Sequence, residues 1–258
     1  MIVDCHTHLK CRSREVETAE HLEACEKVDA CIVLAAAGED SAAANKDLSR
    51  YVKQCKKMTG FAVLDPLKDK VNVKSVSACT RDLGLNGVVL YCSEQGFHPS
   101  HSMAMQLYES AEELSLPIFF HNSGPFGADA LLDYSQPYLL DEIARAFPSL
   151  KIVIGRMGLP FVDQTLCLLA KHENMYADLS VNPDKLWEVY NLVVSAHESG
   201  VMDKLLFGSG YPFALPDNCI ETLLGFNKLV GEGNLPTVRR ENIRTVIERD
   251  TLSVLGIS

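Results

Sequence analysis

Groups able to do chemistry fall at a few places in this chain. Near its start, Asp4-Cys5-His6-Thr7-His8 sets two histidines two residues apart. On an extended chain such residues point the same way, so His6 and His8 direct both imidazoles to one side. Neutral imidazole is a common ligand for zinc and similar divalent ions. The pair is therefore read as two metal ligands, a chance pairing with one solvated ring being the weaker alternative. Asp4 is poorly placed to join them and suits a hydrogen bond to an outer ring nitrogen or to backbone. A third histidine, His121, directly follows the apolar Phe119-Phe120 and precedes the polar, glycine-containing loop Asn122-Ser123-Gly124. Alone it would read as a satisfied core histidine; beside the first pair it reads as a third ligand.

Positioning these groups requires elements that end at a common rim. Short apolar or β-branched runs occur at Ile2–Asp4, Ala30–Leu34, Gly60–Leu64, Gly87–Leu90, Pro117–Phe120, Lys151–Ile154, Met175–Ala177 and Leu205–Phe207. Their brevity and lack of polar alternation suit parallel strands buried on both faces. Helical stripes lie between them, as in Leu48, Tyr51, Val52 and Cys55, or Ala104, Leu107, Ala111 and Leu114 just before Pro117. Ile243, Val246, Ile247 and Val254 predict one C-terminal helix closing the domain. Alternating strands and helices imply parallel βαβ units, and eight of them favour a closed (β/α)₈ barrel over an open sheet. No Gly-x-Gly-x-x-Gly follows the first strand to support a dinucleotide fold. In such a barrel the working residues sit at the C-terminal ends of the strands.

The chain of 258 residues fits a single barrel domain, 1–258, and 47% apolar content is enough for a large core. A net charge of −10, with no basic block, argues against nucleic acid and anionic membranes as partners. The longest apolar run, Ala30–Ala37, is too short to span a bilayer, and the N-terminus lacks the pattern of a signal peptide. Nine scattered cysteines without a Cys-x-x-Cys pair suit reduced thiols in the core and a cytoplasmic location. Oligomeric state is not legible.

From the first strand to the last helix, the sequence resembles the amidohydrolase family of metal-dependent hydrolases that includes aminocarboxymuconate semialdehyde decarboxylase. The resemblance rests on Val3-Asp4-Cys5-His6-Thr7-His8, Gly87-Val88-Val89-Leu90-Tyr91, Leu116-Pro117-Ile118-Phe119-Phe120-His121 and Gly158-Leu159-Pro160-Phe161-Val162. It continues through Asn174-Met175-Tyr176-Ala177-Asp178-Leu179-Ser180 and Leu205 to Phe213. It implies a TIM barrel in which His6, His8 and His121 hold one divalent metal, with zinc expected. Two further groups that the resemblance calls for are replaced. Where a strand-six histidine would assist the attacking water, the chain reads Gly155-Arg156-Met157-Gly158; where a strand-eight aspartate would join the metal, it reads Gly208-Ser209-Gly210-Tyr211-Pro212.

Gly210 can neither offset a metal's charge nor take a proton, and Arg156 cannot act as a base near neutral pH. A guanidinium about 5 Å from a divalent cation would be repelled by roughly 6–7 kcal/mol at an effective dielectric near 20, unless an anion or a carboxylate pairs with it. Arg156 also suits binding of a substrate carboxylate. Asp178 is expected to fix loop backbone, with compensation for Gly210 as the weaker alternative. Glu94, His98 and His101 are expected to be ordinary loop residues. Together these features predict a metal-dependent hydrolase or related decarboxylase with an altered site, acting on a small carboxylate-bearing substrate. The competing expectation is a non-catalytic barrel that binds a small anion or a protein.

Overall fold

The computed structural model describes residues 1–11, 14–122, 126–229 and 233–257. Eight parallel strands run in the order of the chain: β1 (Val3–Thr7), β2 (Ala30–Leu34), β3 (Met58–Val63), β4 (Gly87–Leu90), β5 (Ile118–Phe120), β6 (Ile152–Ile154), β7 (Met175–Ser180) and β8 (Leu205–Gly208). Each pairs with the next, and the circle closes beyond the end of β8. There the Gly210 amide donates to the His6 carbonyl and the His8 amide to the Tyr211 carbonyl, both at 2.9 Å. The result is the expected (β/α)₈ TIM barrel. All eight predicted strands are present, and β2 and β4 have the predicted bounds. β1 runs further than its apolar residues indicated, because His6 and Thr7 continue the extended backbone to the closing bonds.

Helices occupy the connections and bury the stripes read from the sequence. Ser41–Gln54 buries Leu48, Tyr51 and Val52, and it starts where the Asp40 side chain accepts the Ala43 amide, satisfying one otherwise orphaned donor. Ser102–Glu113 buries Ala104, Leu107 and Ala111. The single C-terminal helix expected from Ile243 to Val254 is instead two, Arg240–Ile247 and Thr251–Leu255. The apolar period could not reveal the break, which is made by polar groups. Asp250 caps the second helix through the Ser253 amide, and the Arg249 guanidinium turns inward to the carbonyls of Leu205 and Met202.

In the core, Phe61, Phe119 and Phe207 are fully or almost fully buried, each side chain contributing about 1.5–3 kcal/mol by leaving water. Gly87 makes room for one of them, since a Cβ there would lie 2.6 Å from the Phe61 ring. Cys5, Cys25, Cys31, Cys92 and Cys219 are buried thiols, as expected of core cysteines, whereas Cys167 is exposed. Among the described residues, no helix is long and apolar enough to cross a membrane.

Candidate metal centre

The C-terminal ends of β1 and β5 bring His6, His8 and His121 together. All three are buried, and one ring nitrogen of each lies within 4.8 Å of the others. His8 Nε2 is 3.1 Å from His6 Nε2 and 3.2 Å from His121 Nε2. Two nitrogens bound to one tetrahedral zinc at about 2.0–2.1 Å would stand roughly 3.3–3.4 Å apart.

The outer nitrogens decide what the inner ones offer. His8 Nδ1 lies 3.2 Å from the Leu34 carbonyl, which can only accept, so the His8 proton sits on Nδ1. His6 Nδ1 donates to Asp178 Oδ2 at 2.6 Å. Two Nε2 lone pairs therefore face each other at 3.1 Å with no proton between them. Burial, and then the neighbouring His6, push the His8 imidazole down to about 3, so His8 itself takes no proton near neutral pH. A shared cation would satisfy both lone pairs. The residues present thus fit a divalent ion.

Two buried carboxylates stand behind the rings. Burial pushes the Asp178 carboxyl upward, but the His6 imidazole, the Ser180 hydroxyl and the Arg156 amide outweigh it and hold the group below its usual range. Asp4 Oδ1 accepts the backbone amides of His6 and Ser209, and among the described residues its Oδ2 has no hydrogen-bond partner. Burial, followed by the neighbouring Cys25, pushes Asp4 up to about 7. The task of holding an outer ring nitrogen falls to Asp178, while Asp4 takes the backbone role. Asp178 also fixes loop backbone as expected, through the Arg156 amide at 2.8 Å, and it is not among the residues that could ligate a metal. Its dual contact was invisible in sequence because His6 and Asp178 lie 172 residues apart.

A cavity of about 560 Å³ opens over His6 and His8. Its apolar wall includes Leu159, Val181 and Phe213, and its charged wall consists of Arg156, Lys185 and Glu188. Gly210 also lines it, at φ +68°, so the glycine found where the resemblance called for an aspartate stands on backbone that favours glycine. Arg156 and Met157 are themselves left-handed, at φ 44° and 53°. The Arg156 guanidinium meets Glu188 Oε1 at 3.0 Å, and Lys185 approaches the other carboxylate oxygen at 3.6 Å. Glu188 gave no signal in the sequence, since its helix, Leu186–Glu198, reads as an ordinary amphipathic one. His101 caps the helix Ser102–Glu113, His98 accepts the Ser100 amide, and Glu94 is exposed on the short helix Cys92–Gln95, so none of the three lines the cavity. Ser123 and Gly124, in the loop after His121, lie outside the described residues.

Comparison with known proteins agrees with this architecture. The 2,6-dihydroxybenzoate decarboxylase from Rhizobium superposes with a TM-score of 0.70 at 13% identity, covering 99% of this chain and 98% of the other. A dihydroxybenzoic acid decarboxylase from Polaromonas, solved with manganese and the inhibitor 2-nitroresorcinol, gives 0.69 at 15%, covering 99% and 96%. A probable 2-pyrone-4,6-dicarboxylic acid hydrolase from Acinetobacter baumannii with bound citric acid gives 0.69 at 14%, covering 99% of both chains. No significant match to a curated protein sequence is found. The amidohydrolase family model matches residues 3–246, nearly the whole length, and the chain belongs to that family.

Proposed function

We propose that this protein, as one domain spanning 1–258, is a metal-dependent hydrolase or related decarboxylase acting on a small carboxylate-bearing substrate. His6, His8 and His121 hold one divalent ion, with zinc favoured by three neutral imidazoles. The observation that carries this reading is the meeting of the ring nitrogens, with the His6 and His8 protons committed outward to Asp178 and Leu34. Bound there, the ion supplies Lewis acidity toward a carbonyl or carboxylate. The chain's own residues do the rest: Asp178 orients His6, the apolar wall excludes water from the substrate body, and Arg156 orients the substrate's carboxylate. A volume of about 560 Å³ suits a small organic acid. The similar structures include decarboxylases of hydroxylated benzoic acids and a probable dicarboxylic acid hydrolase, which supports that class.

The non-catalytic alternative rests on one observation: among the described residues, the only carboxylate lining the cavity, Glu188, is engaged by Arg156 and Lys185. Element analysis of purified protein, then zinc and manganese titration by calorimetry, tests the metal. One ion per chain is expected, and no binding of either ion would end the enzymatic reading. Turnover of hydroxylated aromatic acids and cyclic dicarboxylates by the loaded protein then separates enzyme from binder.

A further inference from the structure

We propose that Glu188 is a positioning residue for the metal centre, holding the Arg156 guanidinium away from the three imidazoles so that a divalent cation can occupy them. This rests on the metal-site reading above. Arg156 begins close to the rings, because its amide donates to Asp178 Oδ2, the oxygen that also receives His6 Nδ1–H. Only two hydrogen bonds separate its backbone from His6, and its side chain lines the same cavity as His6 and His8. A long, forked donor in that position is a direct competitor for the metal. Its N–H groups suit the inward lone pairs, and its charge repels a divalent ion.

Glu188 answers both hazards. Its Oε1 takes Arg156 Nη2 at 3.0 Å, with the two side chains only 23% and 17% exposed. Sheltered from water, this pair is screened less than a surface pair. Arg156 and Met157 stand on left-handed backbone, and Glu188 anchors the guanidinium that extends from it. Glu188 lies in the first turn of Leu186–Glu198, where any carboxylate benefits from the helix dipole, and it pairs with Lys185 three residues earlier. Those contacts explain a carboxylate at the helix start without reference to the metal, so the test must separate the two roles.

The experiment is zinc and manganese titration by calorimetry of chelator-stripped wild type, Glu188→Gln, Arg156→Gln and the double variant, with thermal melts to establish folding. Glu188→Gln is expected to weaken metal binding by about tenfold or more. In the Arg156→Gln background the same change should alter it by less than about threefold, because its target is gone. Glu188→Asp keeps the helix-start charge but withdraws the carboxylate by one methylene, and should fall between wild type and Glu188→Gln. Unchanged affinity in Glu188→Gln, or equal weakening in both backgrounds, would overturn the role of Glu188 while leaving the metal site intact. Absence of binding in all four proteins would overturn the metal site and this inference together. Binding in Arg156→Gln but not in wild type would show that Glu188 fails to restrain Arg156.

Discussion

The two halves of the barrel mouth differ in how their polar groups are settled. Around β1 and β5, His6, His8 and His121 are buried, and His6 and His8 give their outer protons to Asp178 and Leu34. Around β6 and β8, where the sequence resemblance called for a histidine and an aspartate, stand Arg156 and Gly210, both on left-handed backbone. The first half is arranged before any ligand arrives. In the second half, the Arg156 charge is paired with Glu188, which belongs to a helix outside the barrel. Metal affinity should therefore depend on the first half, and the second should tune it.

The largest effect that would break this contrast is loss of a ring. His8→Ala removes the nitrogen that faces both other imidazoles and should weaken zinc binding at least about a thousandfold, beyond the 10–100-fold typical of losing a supporting partner. A His8→Ala protein that retains its metal on element analysis would move the site elsewhere.

Next in size is a pH effect from Asp4, the less settled carboxylate of the first half. Its folded pKa of about 7 lies above the unfolded value near 3.9, so the folded state binds the extra proton between them. That stability is fully present below about pH 4 and is lost as pH rises through 7. Relative to Asp4→Asn, chelator-treated wild type should lose about 2–3 kcal/mol between pH 5 and 8 in urea melts. Parallel pH curves for the two proteins would mean that Asp4 is ionised throughout.

Asp178→Asn should weaken metal binding by about 10–100-fold, because His6 loses the anion that fixes its tautomer. Its calorimetric titration should still saturate at one ion per chain, and unchanged affinity would show that Asp178 serves only the backbone.

The smallest predicted change restores the second half. Asp at 210 and His at 156 both tolerate left-handed backbone better than most residues, and a Cβ at 210 would meet nothing closer than Ser180 at 3.8 Å. Gly210→Asp with Arg156→His should tighten zinc or manganese binding by about tenfold, with the two changes not simply additive. Equal or weaker binding would show that Arg156 and Gly210 belong to an intact site of another design.

Much of the fold was legible because its signals are local. Eight apolar runs of the right length, separated by helical stripes, leave few alternatives to a barrel, and His-x-His at a strand end orients two rings by backbone alternation alone. The split of the C-terminal helix was not legible, because apolar spacing continues across the cap at Asp250. The exposure of Cys167 was hidden for a similar reason, since helix spacing does not tell how far a neighbour covers each residue.

By itself the sequence determined which strands and which donor types exist, and it marked positions 156 and 210 as departures. Those properties are set within a few residues, by side-chain chemistry and backbone period. Only the tertiary structure decided that Asp178 rather than Asp4 holds His6, that the two carboxylates shift in opposite directions, and that Arg156 turns to Glu188. Each of those outcomes is a competition for partners between groups far apart in the chain. Burial and the hydrogen bonds that distant elements can offer settle it, and neither quantity exists until the barrel has closed.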